Sequence, residues 1–165
     1  MRLGSQRLSR TSRTWSATEP PPVTLVVDDA LLLDVLAGVA DPELQQAADR
    51  GEVHTTGCWY YRLSRALHSE PMIGALSRRL VALAPDRRER VMSGLGDLPA
   101  EIGLIGLRTL VPVMQALRVS RPVNMLTAEA LAAALALDAD LVVLTDHPAL
   151  RTGALELGLR HRSLA

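Results

Sequence analysis

The residues best suited to chemistry are three acids, each tied to an apolar segment. VTLVV (residues 23–27) runs straight into Asp28 and Asp29, and ADLVVLT (residues 139–145) runs into Asp146. Glu129 stands near the start of TAEALAAALALD (residues 127–138), which leads into the second segment. If the two apolar segments are neighbouring strands, Asp28 and Asp146 converge at their carboxyl ends, and Glu129 points its carboxylate toward the same end. Three oxygen ligands so placed suit Mg²⁺ or Mn²⁺, hard ions that prefer carboxylates and keep several waters. A metal held this way activates water and clamps a phosphodiester.

Each acid also has a purely structural explanation. Asp is a favoured helix N-cap, and Glu in a first turn is stabilised by the helix dipole. Asp29 before Ala30, Thr127 with Glu129 two residues on, and Asp146 ahead of Pro148 all fit capping. Residue type and spacing leave both readings open for the set. Within the first pair, Asp28 is last on its strand and is the candidate ligand, whereas Asp29 is expected to cap a helix beginning at Ala30.

Other chemistries are narrowed by what the chain lacks. All 18 basic residues are Arg, so any mechanism needing a lysine ammonium is excluded. A phosphoacceptor receiver site also opens with two acids but needs a Lys on a later strand. His54, His68, His147 and His161 show no spacing that suggests zinc, although His147, beside Asp146, is placed to line a pocket. Ser64 and Ser77 lack the GxSxG setting of a nucleophile elbow. The lone Cys58, next to Trp59, reads as a small buried hydrophobe with no intrachain partner. Arg78, Arg79, Arg87, Arg88 and Arg90 are interleaved with Asp86 and Glu89, the pattern of a solvated helical face. Glu43, early on its own helix, is expected at the surface.

The elements that must position these residues follow from the patterning. With 165 residues and 18 basic against 18 acidic side chains, the chain is sized for one domain and has no global field that favours nucleic acid. Residues 1–22 are rich in Arg, Ser, Thr and Pro with little apolar material, which predicts a disordered extension ahead of a domain over residues 23–165. VTLVV and ADLVVLT are continuously apolar and β-branched, as in parallel strands covered on both faces. GEVHTT, EIGLIGL and LRHRSL are shorter strand candidates, the last at an edge. Between them lie helical patterns: ALLLDVLAGV ending near Gly38, a helix capped by Asp41 with Pro42 at its first position, WYYRLSRALH, MIGALSRRLVAL, DRRERVMSGL, LRTLVPVMQALRV with Pro112 in its first turns, TAEALAAALALD, and a last helix from Pro148 to about Leu157. Strands alternating with helices predict an α/β doubly wound parallel sheet with helices on both faces and a crevice at the carboxyl ends of the strands. No apolar run approaches the roughly 20 residues of a membrane span, and no signal-peptide core is visible. A soluble cytoplasmic protein is the expectation.

Three segments taken in order resemble the PIN domains, a family that includes VapC-like toxins. VVDDALLLDVL is similar to the family's opening strand with its first metal-binding Asp, TAEALAAALALDADLVVLTDHPAL to its later helix, strand and Thr-x-Asp block, and LELGLRHRSL to its closing strand. The resemblance implies a PIN-like parallel sheet and a ribonuclease that cleaves RNA with Mg²⁺ or Mn²⁺ held by acids. Carried over by position, these are Asp28, Glu129 and Asp146, as metal ligands and catalytic residues. It also implies an antitoxin protein as partner and a homodimer as assembly. Where the family places a second acid, this chain has Arg62, always protonated and unable to bind metal, but able to pair with Asp28 or Asp146 or to hold a phosphate. The family's small hydroxyl residue two positions after the first Asp is replaced by Ala30. The resemblance therefore supports two functions: an active metal-dependent ribonuclease, or a catalytically degenerate PIN-fold binding or regulatory module.

Overall fold

The apolar run at residues 23–27 forms β1 (Leu25–Val27), and the chain turns at Asp28 into α1 (Asp29–Ala37). A computed structural model describes residues 23–68 and 74–165. The extension expected over residues 1–22, and the break at Pro71, lie outside the described residues. After α1 come α2 (Pro42–Asp49), β2 (Val53–Thr56), α3 (Gly57–His68), α4 (Ala75–Ala82) and α5 (Pro85–Gly96). The remainder is β3 (Gly103–Ile105), α6 (Leu107–Ala116), α7 (Met125–Leu137), β4 (Asp140–Val143), α8 (Pro148–Glu156) and β5 (His161–Ser163).

The five strands form one parallel sheet in the order β3-β2-β1-β4-β5. The chain builds outward from β1 through β2 to β3, then crosses back and builds outward on the other side through β4 to β5. The order reverses between β1 and β4, and that switch point opens a crevice beyond their carboxyl ends. The short segments around Leu104 and Arg162 are the two edge strands.

Two cores hold the sheet. Leu25, Val27, Val53 and Val142 face one layer, where they meet Leu32, Leu36, Leu44, Leu63, Val91 and other side chains of α1 to α5. Val26, Leu141 and Val143 face the opposite layer, formed by Ala130 to Ala134 of α7 with Leu110, Leu150 and Ala154. The strands are only three or four residues long, so their ladders are a minor term at about 0.5–1.5 kcal/mol per hydrogen bond. Each fully buried Val or Leu contributes about 1.5–3 kcal/mol, and every apolar side chain of β1 and β4 is at most 4 % exposed. This double burial is why the strands read as unbroken apolar runs.

Local signals fix the helix ends. Gly38 stops α1 in the left-handed region at φ 65°, donating to the Asp34 and Val35 carbonyls, a conformation that costs glycine little. Asp41 accepts from the Glu43 backbone N–H with Pro42 at the start of α2, as the Asp-Pro pair predicts. Pro112 differs from expectation: it sits in the middle of α6, not its first turns. Among the described residues, no helix is long and apolar enough to cross a membrane.

Candidate functional site

Asp28 leaves β1 with extended backbone (φ −75°, ψ 174°), and its two carboxylate oxygens are divided between two jobs. One oxygen accepts the Leu31 backbone N–H at 2.8 Å, closing the first turn of α1. The other accepts the Leu144 N–H at 2.9 Å, just beyond β4. Asp28 is therefore the N-cap of α1 and a clasp between the ends of the two central strands. Burial pushes its carboxyl up to about 6, against the lowering effect of these backbone donors.

The roles expected for the first pair are thus exchanged. Asp29 is the first residue of α1, not its cap. Its side chain is 10 % exposed, and its Oδ2 lies 3.2 Å from Nε of Arg62, whose own side chain is half-exposed. That ionic contact lacks hydrogen-bond alignment, so Oδ2 accepts no hydrogen bond. Burial raises the Asp29 carboxyl, and Arg62 is the main opposing influence. Arg62 comes from α3, which β2 delivers to the same end of the sheet. Its partner is Asp29, where Asp28 or Asp146 was expected.

These groups line a pocket of about 200 Å³ at the β1–β4 switch point. Asp28, Asp29 and Arg62 meet there with His147, Thr127 and Thr145, against an apolar wall that includes the buried Trp59. His147 thus stands where the sequence placed it.

The other two acids do not join this group. Glu129 is fully buried, and its Oε2 accepts the backbone N–H of Cys58 at 2.9 Å, across the start of α3. Its Oε1 accepts no hydrogen bond. The Cys58 thiol is raised to about 11 by burial and then by the Glu129 carboxylate. The Glu129 carboxylate lies toward the carboxyl ends of the strands, as expected, but at the end of β2 where α3 begins and not in the β1–β4 pocket. Thr127 lines the pocket, and two residues of α-helix turn the chain by about 200°, which aims Glu129 at α3 instead. The cap of α7 is also earlier than expected, at Asn124, whose side-chain oxygen accepts the Thr127 N–H at 2.9 Å. Asp146 turns toward Arg151, with which it forms an ion pair, and toward His161 on β5 at 4.0 Å. It does not cap α8, whose N-cap residue is His147.

A carboxylate-bound Mg²⁺ or Mn²⁺ needs several oxygens free and convergent. Here both Asp28 oxygens accept backbone donors and Asp29 faces a guanidinium, whereas one oxygen of each of Asp29, Glu129 and Asp146 accepts no hydrogen bond. Among the described residues, no group of three or more His, Cys, Asp or Glu side chains is arranged to hold a metal ion.

Sequence reasoning missed Asn124, Trp59 and Thr145 as pocket residues. Only Asn124 left a signal, as a favoured capping type three residues before Thr127. No protein-family model matches the chain, and no curated protein is significantly similar to it.

Proposed function

We propose that this chain is a PIN-like binding or regulatory module whose strand-end pocket takes a small ligand and does not run metal-dependent catalysis. The observation that carries this reading is Arg62 standing 3.2 Å from Asp29 inside the pocket. A permanent cation there neutralises one acid and repels a divalent ion. The position supports a ligand site independently, because open parallel sheets bind ligands at the switch point beyond the strand ends.

Calorimetry with Mn²⁺ tests the proposal. Neither wild type nor Asp28→Asn should give saturable heat, and wild type should leave single-stranded RNA intact with Mg²⁺ or Mn²⁺ present. A saturable site in wild type that disappears in Asp28→Asn would refute it.

The metal-dependent ribonuclease remains the second reading. In its favour, Asp28 and Asp29 stand side by side at the pocket, where the resemblance puts the first metal-binding Asp. On that reading Arg62 and Arg151 must swing away to release Asp29 and Asp146, and RNA, an antitoxin protein and a second copy of the chain are the partners to seek.

A further inference from the structure

We propose that the ligand of the strand-end pocket is a free α-amino acid with an apolar side chain, its ammonium group on Asp29 and its carboxylate on Arg62 and Asn124. This rests on the reading of the pocket as a ligand site without metal.

The argument begins with an unmet acceptor. Asp29 is nine-tenths buried, lines the pocket, and has an oxygen that accepts no hydrogen bond. An ionised carboxylate has about four acceptor positions, and a buried one left unfilled is costly. An ammonium group supplies three donors and the matching charge.

The second requirement is an anion close to that ammonium. Arg62 meets Asp29 most closely through Nε, without an aligned hydrogen bond to Oδ2, and a guanidinium carries five donors, so it has donors to offer at the pocket mouth. Asn124 adds an amide nitrogen there, because its side-chain oxygen is committed to the Thr127 N–H. An α-amino acid brings both charges on adjacent atoms. An amine alone leaves the remaining Arg62 donors and the Asn124 amide without a ligand acceptor, and a dicarboxylate meets Asp28 and Asp29.

Size and lining select the rest of the molecule. Leu126, Val143, Leu144 and Leu150 continue the apolar wall beside Trp59. The volume, about 200 Å³, is somewhat larger than the ~150 Å³ cavity that encloses benzene. A branched aliphatic or thioether side chain with its α-carbon fits such a space.

The test is calorimetry on the full chain near neutral pH with EDTA, using L-leucine, 3-methylbutylamine and 4-methylpentanoate. L-leucine should give saturable heat. Each half-molecule should bind about tenfold more weakly or worse, having lost one charge-assisted contact. Asp29→Asn and Arg62→Ala should weaken L-leucine by a similar factor, and Arg62, at the surface, can be replaced without disturbing the fold. No saturable heat with leucine, isoleucine or methionine at millimolar concentration overturns the proposal, as does equal affinity for leucine and the amine. A parallel Mn²⁺ titration separates the two claims. If neither amino acid nor Mn²⁺ binds, the ligand class is wrong while the metal-free reading stands. If Mn²⁺ binds and the heat is lost in Asp28→Asn, the underlying reading fails.

Discussion

Helices α1 and α3 begin in the same way, directly off parallel strands at one end of the sheet, and each has a buried carboxylate on its first N–H groups. They differ in where the carboxylate comes from. Asp28 is local, three residues from the Leu31 N–H it accepts. Glu129 arrives from α7, 71 residues beyond the Cys58 N–H it accepts. The local acceptor before α3, Thr56 at the end of β2, offers only a 3.4 Å contact to the Trp59 N–H. The two sites teach that orphan donors at a helix start are met by whichever acceptor the fold brings near. A conspicuous acid in a sequence can serve this purpose far from any catalytic site.

The largest expected effect is at α3. Glu129→Ala leaves the Cys58 N–H unpaired and opens a void, and urea unfolding should register a loss of about 3 kcal/mol. A loss below about 1 kcal/mol would mean that α3 does not depend on its distant cap. At α1 the effect should be read through pH. The Asp28 carboxyl stays protonated up to about 6 in the folded chain against an ordinary 3.8. It therefore contributes stability that is present below about pH 4 and lost as pH rises through about 6, an amount on the order of 3 kcal/mol. The stability of wild type minus that of Asp28→Asn should fall by about this much between about pH 4 and 7; parallel profiles would contradict the raised value. Asp29 is shifted in the same direction and is coupled to Asp28, so the difference reports the pair, with Asp28 its main contributor.

Smaller effects complete the pair. Glu129→Gln keeps the volume and one acceptor oxygen, and its amide replaces an oxygen that accepts no hydrogen bond, so stability should stay within about 1 kcal/mol of wild type. A much larger loss would reveal an ionic partner for Glu129. Arg62→Ala removes the half-exposed partner of a buried carboxylate and should lower stability by about 1 kcal/mol at neutral pH. A bigger change would show that Arg62 is needed to hold α3 against α1.

The architecture was legible because its cause is local and repeated. Buried parallel strands must be apolar throughout, so VTLVV and ADLVVLT announced themselves, and even EIGLIGL and LRHRSL yielded short edge strands where expected. The candidate site was legible only in part. His147 reaches the pocket, and Asp28 stands at the end of its strand, but as the cap that Asp29 was expected to be. Glu129 points toward the strand ends as expected, but to the end of β2 and not into the pocket. The start of α7 at Met125, two residues before Thr127, was hidden by a chain in which Thr and Asn are both plausible caps.

By itself, then, the sequence determined the alternation of elements, the parallel sheet and the ends of helices such as α1 and α2, since each follows from contacts within a few residues or from a uniform demand for burial. Tertiary structure alone decided the long-range pairings: Arg62 with Asp29, and Glu129 with the start of α3. Those partners are set by the rotation of one helix against another. A rotation of a single residue, about 100°, redirects a carboxylate from one neighbouring element to another.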